Sequence, residues 1–211
     1  MTLFSQVEAL AEMGVDYAGF IFYEKSPRFI ANKISPDILK QYKRIKKVGV
    51  FVNEEIDNIL QLSEAFGLDM VQLHGDETPE YCEIISAKLP VVKAFRLTGN
   101  ENLNQLIKPF HQNVNHFLFD TKAKHYGGTG LKFDWEVLRN FDIPTPFFLS
   151  GGIGPDDVSL IQDFGNELNT NYFHVLDLNS RFEKEPGVKD IDLLRKFIES
   201  LKVNSDKSIN I

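Results

Sequence analysis

One cysteine, Cys82, is all that the 211 residues carry. An internal disulfide framework and a multi-cysteine metal site are thereby excluded, and the usage fits a reducing cytoplasm. Zinc is not expected. A basic surplus is lacking too: the formal net charge is -7, whereas a sequence-independent grip on polyphosphate needs a basic patch or stripe. Nucleic acid is therefore not an expected partner. Long hydrophobic runs are missing as well. The first twenty residues contain Glu8, Glu12 and Asp16 and no basic leader, and their longest apolar run, Tyr17 to Tyr23, is far too short to cross a bilayer. No membrane partner is expected, and the chain reads as cytoplasmic. There is no low-complexity tract, linker or charge block to mark a second domain.

What remains is an ordinary globular balance, 43% hydrophobic and 25% charged, enough to fold around one large core. The spacing of apolar residues alternates between two periods. Leu3, Val7, Leu10 and Ala11 share a helical face that ends at Gly14. Tyr17 to Tyr23 reads as a buried strand, followed by a helix from Ser35 led by Pro36. Lys47 to Val52, Met70 to Leu73 and Val91 to Phe95 repeat the strand signal. Helices at Glu54 to Phe66 and at Pro79 to Leu89 separate them, the second starting after Thr78. The second half continues with a helix at Asn102 to Phe110, a strand at His116 to Asp120, a glycine-containing loop to Phe133 and a helix at Asp134 to Asn140. Strand Phe147 to Leu149, helix Pro155 to Phe164, strand Tyr172 to Leu178 and helix Ile191 to Leu201 complete the series.

Seven strands and eight helices in alternation predict βαβ units on a parallel sheet, and eight helices favour closure. The fold expected is an α/β (β/α)₈ TIM barrel short of its first strand. Residues 1–203 form one barrel domain in this reading, and the polar tail 204–211 is expected to fray. Oligomeric state is not legible.

A barrel's active face lies at the C-terminal ends of its strands. Arg28 follows the first visible strand in Ser26-Pro27-Arg28; its planar fork suits a carboxylate, although an arginine after proline is often only a solvated charge. Gln72 and His74 close the third strand. A histidine there can donate to a substrate oxygen or serve a structural purpose, and both roles stay open. Asp120 ends an apolar strand, where a carboxyl partly removed from water can act as general acid; bonding the backbone of its own loop is the alternative. Gly151-Gly152 before a helix start, with Asn179 and Ser180 after the next strand, suits a phosphate cradle, though an isolated Gly-Gly is often just a tight turn. Cys82 sits mid-helix with no histidine placed to activate it and is not taken as a nucleophile.

These segments resemble phosphoribosylanthranilate isomerase over essentially all of Met1 to Leu201. The resemblance rests on Gly19-Phe20-Ile21-Phe22 with Lys25-Ser26-Pro27-Arg28; Val71 to Glu77; Phe119-Asp120 with Tyr126-Gly127-Gly128-Thr129-Gly130 and Phe133-Asp134-Trp135; Leu149 to Ile153; and the spacing of Ser180, Glu183, Pro186-Gly187 and Lys189-Asp190. It implies an Amadori rearrangement of a phosphosugar substrate in tryptophan biosynthesis, with no metal or organic cofactor. Asp120 would be the general acid and Arg28 the ligand of the anthranilate carboxylate. Gln72 and His74 would contact substrate, and Gly151, Gly152, Asn179 and Ser180 would hold the phosphate. Asn179 and Arg181 depart from the small residues common in that loop. Family members open on a strand ending in Cys-Gly, then a hydrophobic residue and Thr, and Met1-Thr2 matches the end of that motif. The general-base cysteine is thus expected to be missing from this chain and its activity to be impaired. Two alternatives stand beside this reading: a catalytically silent phosphosugar-binding relative, and another phosphosugar barrel such as an indole-glycerol-phosphate synthase or a histidine-pathway isomerase. The Gln72 to Gly75 and Tyr126 to Gly130 segments favour the isomerase.

Overall fold

A computed structural model describes residues 1–30, 32–121, 135, 138, 141, 143–167, 173–203 and 211. Its main sheet has seven parallel strands in sequential order: β1 (Tyr17–Ile21), β2 (Lys46–Phe51), β3 (Met70–Leu73), β4 (Val91–Leu97), β5 (His116–Thr121), β6 (Phe147–Leu149) and β7 (Phe173–Leu176). The helices described are α1 (Phe4–Glu12) ahead of β1, α2 (Pro36–Gln41), α3 (Ile56–Phe66), α4 (Pro79–Ser86), α5 (Leu103–Ile107), α6 (Val158–Glu167) and α7 (Ile191–Val203). The helix expected at Asp134 to Asn140 lies outside the described residues, apart from Trp135 and Leu138. None of the described helices is long and apolar enough to cross a membrane.

Local chemistry sets several boundaries. Gly67 takes the left-handed conformation (φ 62°) that ends α3, and Gly14 (φ 75°) follows α1 in the same way. The Thr78 hydroxyl accepts from the Tyr81 N–H to cap α4, and Asn102 does the same for α5. Ser35 precedes α2 without such a bond, so Pro36 carries that start.

The sheet is rolled. If it were flat, β1 and β6 would lie about 24 Å apart at roughly 4.8 Å per strand. Instead the rings of Tyr17 on β1 and Phe148 on β6 are 5.7 Å apart. Rolling sorts alternate residues to two sides. Val48, Met70, Val92, Ala94, Leu118, Phe148 and Val175 fill the interior. Their neighbours in sequence, such as Val71, Phe95, Phe117, Phe147 and Leu176, join the larger core beneath the helices. This is the (β/α)₈-barrel plan expected from the sequence, with β1 and β7 as the two edges of the described sheet.

Two features were not expected. An antiparallel hairpin, β8 (Glu183–Glu185) with β9 (Val188–Lys189), follows β7 and turns at Pro186-Gly187. Its strands are too short for a two-residue period to register in the sequence. Ile211, placed in a fraying tail, instead accepts from the N–H groups of Asp16 and Tyr17 at 2.7 and 3.2 Å. The rest of the tail, 204–210, is outside the described residues.

Close packing makes Gly49 on β2 a sensitive position. An added Cβ would press into Leu68 and lie 2.8 Å from the Phe51 ring. Gly49→Ala is expected to lower stability by about 1–3 kcal/mol, the usual cost of overpacking, as read by urea unfolding; an unchanged midpoint would mean that Leu68 yields freely.

Candidate active site

Stepping two residues along each strand from the interior core leads to the polar mouth. Met70 leads to Gln72, Ala94 to Arg96, Leu118 to Asp120, Phe148 to Ser150 and Val175 to Asp177, and all five of these polar residues line one cavity of about 200 Å³. The apolar plug ends where the strands do, so these side chains meet at the C-terminal rim.

Gln72, His74 and Asp120 form a row. The Gln72 Nε2 lies 2.9 Å from His74 Nδ1, and His74 Nε2 lies 3.4 Å from Asp120 Oδ2. With the amide donating to Nδ1, the imidazole carries its proton on Nε2, the nitrogen that lies near Asp120. His74 is therefore a partner of the candidate acid. Across the cavity the Ser150 hydroxyl donates to Asp177 Oδ2 at 3.0 Å. Burial, and then the Asp120 charge, push the Asp177 carboxyl above its ordinary value, against the weaker pull of Lys189 and Ser150. Two carboxyls thus share one partly dry mouth.

Beside this row lie the two glycine and hydroxyl loops. Gly151 (φ 93°) and Gly152 (φ 69°) adopt a conformation that side chains other than glycine rarely take. Among the described residues, the backbone N–H groups of Gly151, Gly152, Ile153, Asn179 and Ser180 have no hydrogen-bond acceptor. Gly151 and Ile153 are buried and the other three half-buried, and all five residues line the cavity. A cluster of unbonded N–H groups on residues that line a cleft can receive an anion.

Arg28 lines the same cavity but is not a free fork. Its Nε donates to both Glu183 oxygens, at 3.1 and 2.9 Å, and Nη2 donates to Oε2 at 2.6 Å. A ligand can use only the remaining Nη1 edge and the outer N–H of Nη2. Lys189 lies next to this pair, 3.6 Å from Glu183, and donates to the carbonyls of Leu178 and Asn179 and to Asn179 Oδ1 at 3.0, 3.2 and 3.0 Å. Burial lowers the Lys189 pKa, but three acceptors need three protons, so the group stands as an ammonium. Arg96, Asp177, Glu183 and Lys189 were not among the candidates drawn from sequence. For Arg96 and Asp177 a signal existed, since each ends a strand in phase with its interior residues. Glu183 meets Arg28 across 155 residues, which no local pattern reveals. Cys82 is buried in α4 with its thiol pushed up to about 12 by burial, away from the mouth.

The Arg28–Glu183 pair is nearly dry, with side-chain exposures of 10% and 4%. Burial opposes ionisation of Glu183, but the Arg28 bonds and the Lys189 charge outweigh it and hold the carboxyl below its ordinary value. Its contribution to stability is therefore present above the ordinary glutamate range and lost as pH falls through the lower folded pKa. Glu183→Gln is expected to cost about 3–5 kcal/mol at neutral pH, because Arg28 is left buried and uncompensated. The gap from wild type should shrink in acid, in urea unfolding followed from about pH 7 to about pH 3. A pH-independent gap would contradict the ion pair.

A family model described as N-(5'phosphoribosyl)anthranilate (PRA) isomerase matches residues 1–200. The chain is 38% identical over 198 residues to N-(5'-phosphoribosyl)anthranilate isomerase of Parabacteroides distasonis, covering 92% of this chain and 87% of that one. It is 39% identical over 197 residues to the enzyme of Phocaeicola vulgatus, covering 93% and 92%. Among solved structures, phosphoribosyl anthranilate isomerase from Thermotoga maritima superposes with a TM-score of 0.83 at 31% identity, over 96% of each chain. Another isomerase structure, 30% identical with a TM-score of 0.78 over 96% of this chain and 95% of that one, is a complex with reduced 1-(o-carboxyphenylamino)-1-deoxyribulose 5-phosphate. A match of this length and identity, on the same rolled sheet, places the chain in the N-(5'-phosphoribosyl)anthranilate isomerase family.

Proposed function

We propose that the mouth of this barrel carries out the Amadori rearrangement of N-(5-phosphoribosyl)anthranilate to 1-(2-carboxyphenylamino)-1-deoxyribulose 5-phosphate, a step of tryptophan biosynthesis. The observation that carries the reading is the Gln72–His74–Asp120 row standing beside the unbonded N–H groups of Gly151, Gly152, Asn179 and Ser180 in one cavity. The small-molecule substrate has a phosphate at one end and a carboxylate at the other, and the cavity has a cationic or N–H-rich feature for each.

In this reading the phosphate lies in the N–H cradle and the anthranilate carboxylate takes the open edge of Arg28. Asp120 gives its proton to the furanose ring oxygen as the ring opens to a Schiff base. His74 Nε2–H then faces the carboxylate just formed, which stabilises it. Loss of the C2 proton to a base and proton return complete an isomerisation that moves only protons and calls on no cofactor. Lys189 does not take the part of that base, because its three acceptors leave it no free lone pair.

Asp120→Asn is expected to lower kcat by about 10²- to 10⁴-fold with little change in KM, since the amide keeps the shape but cannot give up the proton. Steady-state turnover of freshly made phosphoribosylanthranilate measures it, and an unchanged kcat would remove Asp120 from the chemistry. Arg28→Lys is expected to lower kcat/KM by roughly tenfold or more, since an ammonium cannot serve Glu183 and a ligand through one planar fork. An unchanged kcat/KM would leave Arg28 with a structural part alone.

A further inference from the structure

Peptide geometry gives Lys189 a part in binding that no motif assigns to it. In a planar trans peptide the C=O and the following N–H point in opposite directions. The ammonium of Lys189 collects the carbonyls of Leu178 and Asn179 on one side. The N–H groups of the next residues, Asn179 and Ser180, are thereby turned to the other side, and these are two of the groups left without an acceptor. The Asn179 side chain, whose Oδ1 also accepts from Lys189, locks the same turn. That turn is unusual for its residue, since Asn179 has φ −127° and ψ −106°, outside the common regions. Without a cation beneath it, the Leu178 carbonyl would lose its donor, and the Asn179 carbonyl would keep only the Phe182 N–H, at 3.0 Å. The lysine is in turn fixed from behind: its backbone N–H and C=O both bond the Gln6 side chain at 2.8 Å, and Glu183 neutralises part of its charge.

We propose that Lys189 is a positioning residue for the substrate phosphate, shaping the last loop so that its peptide N–H groups face the anion. The inference rests on the phosphate assignment made above. Lys189 does not itself need to touch the phosphate, since its three protons are engaged.

The test compares wild type with Lys189→Met and Lys189→Arg in the whole chain. It measures inhibition by inorganic phosphate, KM and kcat for phosphoribosylanthranilate, and urea unfolding. Lys189→Met is expected to weaken phosphate inhibition and raise KM by about tenfold or more, with kcat within about threefold, because the Asp120 row lies on other strands. Lys189→Arg keeps the charge and the Glu183 pair, but a planar fork cannot meet three acceptors arranged around a point cation. It is expected to fold and yet to weaken phosphate by at least about fivefold. Arginine that restores the wild-type phosphate constant would overturn the proposal in favour of charge alone, and this holds even if the methionine variant fails to fold. Lower stability with unchanged phosphate inhibition in both variants would also overturn it. Failure of phosphate to inhibit wild type competitively is a separate result: it overturns the phosphate assignment, and this proposal with it.

Discussion

Arg28 belongs to the loop after the first strand of the described sheet and Glu183 to the hairpin after the last, and their three hydrogen bonds join two edges that no strand pairing joins among the described residues. Lys189 and the Gln6 side chain extend the junction to the start of α1, and Thr2 bonds the carbonyl of Gly187 through both its N–H and its hydroxyl, at 3.1 and 2.8 Å. Losing one partner of a buried pair costs about 3–5 kcal/mol. Total stability is typically only about 5–15 kcal/mol. A loss of that size is a large share of the total, so the rim geometry depends heavily on this one cluster of charges.

The same cluster serves chemistry and cohesion together. Glu183 restrains the guanidinium proposed to meet a carboxylate, and Lys189 restrains the loop proposed to hold a phosphate. Both restraints are made of buried charges, which hold direction because little water competes for them. A substrate anchored at its two anionic ends would bring its sugar under Asp120 without moving the strands. This is the arrangement in which binding energy far from the reacting atoms sets their position.

The alternation of strands and helices was legible because it is written in local period, and all seven main strands stand where that period puts them to within two residues at either end. Rim residues at strand ends were legible for the same reason: Asp120, Gln72, His74 and the Gly151-Gly152 pair stand where chain direction and sheet alternation send them. What local pattern does not carry is the partner of a side chain. Arg28 read as an open fork because Glu183 is distant in sequence, and Lys189 entered only through the spacing of the last loop, with no partner or role attached to it. Which ring nitrogen of His74 meets the Gln72 amide was likewise beyond local pattern.

How one ligand lies across the mouth decides between these assignments and their alternatives. The most direct measurement is a crystal structure of this chain soaked with reduced 1-(o-carboxyphenylamino)-1-deoxyribulose 5-phosphate, the compound bound in one of the related structures. Its phosphate is expected to accept hydrogen bonds from the N–H groups of Gly152 and Ser180, its carboxylate to meet Arg28 on the edge away from Glu183, and Asp120 to reach an oxygen of the opened sugar. A phosphate bound elsewhere on the rim, or a sugar out of reach of Asp120, would contradict these assignments.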